Sequence, residues 1–231
     1  MASVPPTITG PVFYPESDGK PMSDNTRQFR WIKTISDNLD ILFADRDDVF
    51  TCGNQFWYPV EGRPDIVQSP DVYVVFGRPK GDRPSWKQWE EGDQPMRVVF
   101  EILSPGNTAQ EMANKLTFYE EYGVEEYYIY DPDTNKLTIY LRKGDVFRRE
   151  RKVAGFVSPR LGITFDLSGP EMVVRFPDGR PFLPAVQRDQ ARKDAETRLK
   201  RLAALSRKAR LGQATAEELA ELERLEGEAG A

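Results

Sequence analysis

The run Val98-Val99-Phe100-Glu101-Ile102-Leu103 constrains this chain more than any other stretch. Apolar residues surround a single carboxylate, in the pattern of a strand buried on both faces. Burying an ionised carboxylate without a partner costs several kcal/mol, so Glu101 demands a cation, a metal ion or the solvated end of the strand. Alternation puts Val99, Glu101 and Leu103 on one face and Val98, Phe100 and Ile102 on the other, and the apolar flanks make a wholly wetted Glu101 face awkward. The link Ser104-Pro105-Gly106-Asn107 follows at once, then a helix expected from about Ala109 to Tyr122 and ended by Gly123. Thr108 and Glu111 form a Thr-x-x-Glu capping box, while Glu111, Lys115 and Tyr119 lie at spacings of four along one face. A solvent-facing Glu-to-Lys pair is one reading of that face. The other is that the short link folds it back toward the end of the strand that carries Glu101. A second acid, Asp71, opens the apolar run Val72 to Phe76, although Pro-Asp is also common where a turn enters a strand.

Two scarcities narrow the chemistry. The chain has no histidine, which removes Ser-His-Asp and Cys-His catalysis, His-ligated zinc and imidazole proton shuttling together. Its one cysteine, Cys52, can form neither an intrachain disulfide nor a cysteine-rich zinc site, in keeping with a reducing compartment. Any enzymatic chemistry must run on carboxylates, amines, hydroxyls or a hard metal held by oxygen. With 39% hydrophobic residues among 231, the chain can build one sizeable domain plus an appendage. No window reaches the roughly 18 consecutive apolar residues of a membrane span, and the N-terminal "MASVPPTITG" lacks a basic region followed by an apolar stretch, so the expected location is cytoplasmic. The net charge of -5 points away from a stand-alone nucleic-acid binder, and the acidity belongs to residues 1–185.

The Pro- and Gly-rich first twenty-odd residues read as an extended arm over the surface. A first amphipathic helix follows, with Ser23 or Asp24 as N-cap and Phe29, Ile32, Ile35, Leu39 and Leu42 on its apolar face. "VFTCG" and "NQFWYPV" read as a strand pair turning at Gly53-Asn54. Residues 78–95 read as a polar loop long enough to suggest binding. "EEYYIYDP" and "DTNKLTIYLRKGDVF" alternate as strand, turn and strand, with a second turn at Lys143-Gly144-Asp145, and "GITFDLS" and "EMVVRFP" add two short strands. This order predicts an α/β or α+β fold: a central mixed sheet flanked by helices, residues 1–185, with an amphipathic helical tail at 186–231. The tail places Ala195, Leu199, Leu202 and Leu205 on one side and starts a second helix at the capping box Thr215 with Glu218. Such a stripe pairs either within the chain or with a second copy as a homodimer.

Together, "PDV" at 70–72, Glu101 within "FEILSPGNT", Lys115 on the following helix and "YGVEEYYIYDP" at 122–132 resemble the Uma family of restriction endonucleases, a bacterial branch of the PD-(D/E)XK nuclease superfamily. The likeness spans roughly residues 11–185. It departs from the superfamily in one respect, since the usual lysine two residues after the second acid is here Leu103, and Lys115 resembles one that has moved onto the next helix.

The resemblance implies a restriction-endonuclease-like core, a DNA substrate and hydrolysis of a phosphodiester by water. Asp71 and Glu101 would hold Mg²⁺ or Mn²⁺, with a strand carbonyl and waters completing the shell. Lys115 would be catalytic with them, orienting the attacking water or neutralising the phosphate. Glu111 is expected to cap its helix rather than reach the metal, and Asp24 and Gln28 stand where superfamily members often add a polar or acidic group. Two clusters are candidates for meeting a phosphate backbone: Arg78, Lys80, Arg83 and Lys87 with Trp86 and Trp89, and Arg148, Arg149, Arg151 and Lys152. The competing reading is a non-catalytic interaction or self-associating protein on a nuclease fold.

Overall fold

In the computed structural model, which describes residues 12–17, 19 and 23–227, the chain divides into two compact units at the Phe182–Leu183 junction. In chain order the first unit comprises α1 (Thr26–Leu42), β1 (Val49–Cys52), β2 (Trp57–Tyr58), β3 (Val72–Phe76), β4 (Trp86–Lys87), a 3-10 turn (Gln88–Glu91), β5 (Val98–Ile102), α2 (Ala109–Glu121), β6 (Glu126–Asp131), β7 (Lys136–Lys143), β8 (Val146–Arg149), β9 (Thr164–Asp166) and β10 (Val173–Arg175). Six strands form the central sheet in the order β1-β3-β5-β6-β7-β8. Within this sheet only β5 and β6 run parallel, and α2 is the crossover that a parallel pair requires.

Both faces of this sheet are covered, which is why its inner strands are largely apolar. On one face Trp31, Ile32, Ile35 and Leu39 of α1 pack with Val72, Val74, Val98, Phe100, Ile102 and Tyr128. On the other, Tyr119 is buried with Tyr73, Val75, Val99 and Tyr127, and Met112, Leu116 and Phe118 of α2 pack against them. Phe29, expected on the apolar stripe of α1, is exposed, and Trp31 takes its place in the core.

Three local expectations are corrected. Helix α1 is capped by Asn25, whose side chain accepts from the Gln28 N–H at 2.9 Å, so Ser23 and Asp24 lie outside it. Adjacent Ser, Asp and Asn are near-equivalent caps, and tertiary contacts choose among them. Secondly, β1 and β2 are not a hairpin: β1 pairs with β3, and β2 makes a short parallel pair with β4. Gly53 instead lets two backbones meet, because a Cβ there would stand 2.1 Å from the Asp71 carbonyl oxygen. Beside it, Asn54 adopts a positive φ of 52° and donates its N–H to the Pro70 carbonyl at 2.9 Å. Thirdly, the loop at 78–95 is folded and internally bonded. Trp86 is fully buried, Arg78 and Arg83 both pair with Glu91 at 2.9 and 2.6 Å, Lys87 pairs with Glu90, and Lys80 donates to the carbonyls of Phe43 and Ala44.

Residues 1–11 of the expected arm lie outside the described residues. Of the rest of the arm, Tyr14 packs its ring 5.0 Å from that of Tyr58, and the Pro15 carbonyl accepts from the Tyr58 hydroxyl at 2.6 Å. In the second unit, α3 (Ala185–Arg210) and α4 (Ala216–Gly227) pack as a hairpin, with Leu205 and Leu225 buried and the Thr215–Glu218 capping box formed in both directions. Leu202 is half-buried, while Leu199 remains 65% exposed. Among the described residues, no helix is long and apolar enough to cross a membrane.

The contact at Gly53 sets a test of the fold. Gly53→Ala is expected to lower stability by about 1–3 kcal/mol, the scale for forcing extra volume into packed structure. Gly169→Ala, whose added Cβ would meet nothing closer than 3.7 Å, should stay within about 0.5 kcal/mol of the parent. Denaturant midpoints of the two variants check the difference.

Candidate active site

The register of the central sheet assembles the two acids. Val72 pairs with Phe100 and Tyr73 with Val99 in the antiparallel ladder, so Asp71, one residue ahead of β3, falls opposite Glu101 and on the same face. Both are buried, Asp71 to 8% and Glu101 to 3% exposure. The Ile102 N–H donates to Asp71 Oδ2 at 2.7 Å, which fixes that carboxyl across the strand.

Helix α2 lies over the same face. Thr108 caps it, its side chain accepting from the Glu111 N–H at 3.1 Å. The Glu111 carboxylate does not complete the expected box; it accepts from Asn107 Nδ2 at 3.3 Å. Asn107 is held by the link itself, accepting through Oδ1 from the Ser104 N–H at 2.9 Å. One turn on from Glu111, Lys115 Nζ donates to Glu101 Oε2 at 2.8 Å, and one further turn on, the Tyr119 hydroxyl donates to Glu101 Oε1 at 2.7 Å. The solvent-facing reading of Lys115 is thereby excluded: its side chain is only 12% exposed.

The electrostatics follow from two carboxylates and one amine in a poorly solvated place. Burial, with the Glu101 carboxylate alongside, pushes the Asp71 carboxyl up to about 8, against partial relief from Lys115 and the Ile102 N–H. Burial works to lower the Lys115 amine, but the carboxylates of Glu101 and Asp71 outweigh it and hold the amine above its usual range. Lys115 is therefore a permanent cation at neutral pH.

Three further groups attach to this core. Gln28 on α1 donates through Nε2 to the Ile102 carbonyl at 2.8 Å from the opposite face of the sheet, and accepts through Oε1 from the Asp24 N–H at 2.8 Å. The Asp24 carboxylate accepts from the Ser104 hydroxyl, just beyond β5. Tyr127, fully buried next to Tyr119 with ring centroids 5.0 Å apart, has a hydroxyl without a hydrogen-bond partner among the described residues. The spacing of Tyr119 from Lys115 was a usable signal for its contact with Glu101, whereas nothing local to Tyr127 marks it.

The donor set can be tested against a divalent cation. Asp71 Oδ1 takes no hydrogen bond from any described residue, and each Glu101 oxygen keeps a lone pair beyond the bond it already accepts. With both acids ionised, two buried carboxylates would face one ammonium and leave a negative charge for a cation to balance, and all the donors are hard oxygens. Among the described residues no group of three or more His, Cys, Asp or Glu side chains converges. The protein would thus supply two carboxylates and water the rest, which suits Mg²⁺ because it keeps several waters.

A family model described as "Uma2: Putative restriction endonuclease" matches residues 20–168. A solved structure described as a "putative nuclease belonging to DUF820" from Anabaena variabilis is similar to this chain at 12% identity and a TM-score of 0.45, over 61% of this chain and 74% of that one. No curated protein matches the sequence.

The raised Asp71 sets the pH dependence of stability. Folded chains keep a proton on Asp71 that unfolded chains, near 3.8, release, so its stabilising contribution is full below about pH 4 and is lost as pH rises toward 8. Without divalent ions, the parent should lose stability across that range relative to Asp71→Asn, whose amide cannot ionise. Melting temperatures measured from about pH 4 to pH 8 check this, and parallel curves would contradict it.

Proposed function

Because the chain belongs to the Uma2 family, we propose that it is a metal-dependent phosphodiesterase, an endonuclease acting on DNA, with Asp71 and Glu101 as metal ligands and Lys115 as its catalytic cation. The observation that carries this reading is the 2.8 Å contact of Lys115 with a buried carboxylate that has a second acid opposite it in the sheet. Mg²⁺ or Mn²⁺, when bound, supplies an acidified water and neutralises charge on the scissile phosphate.

The chain's own groups divide the remaining work. A lysine held above its usual pKa keeps its proton, so Lys115 is not a general base. It has three N–H bonds, of which Glu101 takes one. The others are available to orient the attacking water or to meet a phosphate oxygen, where a positioned charge in a water-poor site acts more strongly than in bulk. Tyr119 holds the second Glu101 oxygen, so that the carboxylate cannot rotate away when Lys115 turns toward substrate. None of this needs an imidazole, in agreement with a histidine count of 0.

The reading extends to the rest of the chain. Residues 1–185 carry the chemistry, in the cytoplasm and on DNA, and residues 186–231 serve assembly as a homodimer. The exposed Leu199 on the charged outer surface of α3 supports the second part. Leu199→Lys should then lower the mass measured by light scattering toward that of one chain, and an unchanged mass would make the tail an intrachain brace.

For the chemistry, the wild-type chain should cut a DNA duplex with Mg²⁺ or Mn²⁺, and Asp71→Ala and Glu101→Ala should abolish cutting and weaken divalent-ion binding by calorimetry. Lys115→Met keeps the aliphatic stem and removes the charge. It should bind metal nearly as the parent does while turning over on the order of 10²-fold more slowly, the scale for losing one preorganised electrostatic stabiliser. Lys115→Arg should not restore the rate fully, since a planar guanidinium cannot put its charge at the same point. A parent chain that neither binds Mn²⁺ nor cuts would favour the non-catalytic interaction protein.

A further inference from the structure

The rim of the central sheet farthest from β1 carries a charge that the fold does not use. Residues 143–152, spanning the β7–β8 turn and the segment after β8, hold Lys143, Arg148, Arg149, Arg151 and Lys152 against Asp145 and Glu150, a net +3 in a chain of net -5. Elsewhere in the first unit most arginines are spent on carboxylates: Arg27 on Asp133, Arg46 on Asp48, Arg63 on Asp65, Arg78 and Arg83 on Glu91, Arg160 on Glu125. Arg148, Arg149, Arg151 and Lys152 form no ion pair among the described residues, and all four are exposed. Nor is Glu150 spent on these side chains, for its Oε1 accepts from the Lys152 backbone N–H at 2.9 Å.

Shape accompanies the charge. Arg148, Arg149, Glu150 and Arg151, with Leu137 and Val153 as an apolar floor, line a groove of about 720 Å³. Strand β8 is three places from β5 in the sheet, a lateral distance of about 14 Å at the usual strand spacing. The floor residues Leu137 and Val153 pack with the core on the α1 face, whereas Asp71 and Glu101 lie on the α2 face, so the groove would meet a duplex at the sheet edge, where DNA presents a charge for roughly every 1.7 Å of axis.

We propose that this groove binds the phosphate backbone of duplex DNA and supplies the attraction that the acidic remainder of the body lacks. The proposal rests on the nuclease reading for the identity of its ligand. It also replaces the first of the two basic clusters visible in the sequence: Arg78, Arg83, Lys80 and Lys87 are engaged within the fold, whereas the second cluster has free charge to give. Unpaired arginines at a rim meet a phosphate without the further cost of breaking an internal salt bridge.

The test is binding of a short fluorescent DNA duplex, followed by anisotropy in a chelator so that no cutting occurs, over a range of salt concentrations. The chain with Arg148→Gln, Arg149→Gln, Arg151→Gln and Lys152→Gln together should bind at least tenfold more weakly. The slope of log affinity against log salt should become shallower by about 0.9 for each phosphate that the variant no longer neutralises. The two half-variants, Arg148→Gln with Arg149→Gln and Arg151→Gln with Lys152→Gln, should each show part of the effect, which keeps the result readable if the fourfold change impairs folding. Arg30→Gln with Lys33→Gln on α1 removes two exposed charges elsewhere and should leave both readouts nearly as in the parent. Equal affinity and slope in the parent and the groove variants would overturn the proposal, as would a parent chain that binds no duplex. Groove-dependent binding by a parent that fails to cut with Mn²⁺ would instead sink the nuclease reading and leave the groove standing. Metal-dependent cutting with groove-independent binding would do the reverse.

Discussion

Everything near the centre of this molecule is organised by the need to satisfy one carboxylate. Glu101 is buried in an apolar sheet, and an unpaired charge there would cost several kcal/mol. Lys115 and Tyr119 meet its two oxygens from successive turns of one helix, which requires that helix to lie over one face of β5 and to follow it closely. The parallel β5–β6 pair, the short link before α2 and the aromatic layer around Tyr119 and Tyr127 all conform to that requirement. Asp71 then enters a place whose one ammonium is already engaged, and burial drives it toward the neutral form. A nearby divalent cation is the simplest addition that lets both acids ionise.

Much of this was legible in the sequence because the informative residues break a local rule. A glutamate inside an apolar strand predicts a partner, and the short link folds the helix carrying Lys115 back toward it, although a solvent-facing Glu111–Lys115 pair fits the same spacing. The strands and helices that read clearly were those whose periodicity agreed with their capping: α2 after Thr108, β7 and β8 around Gly144, and α4 after Thr215.

What did not read was pairing at a distance. Gly53-Asn54 has the composition of a hairpin turn, but its conformation serves an approach to Pro70 and Asp71, which lie far along the chain. The loop at 78–95 looked open because its residues are polar. It is closed because Glu91 gathers two arginines and Trp86 enters the core. Gln28 was visible as a polar residue on a helix face, yet no spacing could show that its amide would reach the carbonyl of Ile102. Contacts of this kind depend on which elements meet, and that is decided by the whole core.

The backbone of Ile102 joins the two layers that the sheet otherwise separates. Its N–H holds Asp71 beside α2, and its carbonyl is held by Gln28, which also closes the first turn of α1 by binding the Asp24 N–H. The start of α1 and the seating of Asp71 are therefore parts of one cooperative unit, and local opening of that helix end would be transmitted through the backbone of a single residue to the acid on the far side. Hydrogen exchange at the Ile102 amide would report on both at once. In this respect the sheet is less a partition between two cores than the member through which each senses whether the other is in place.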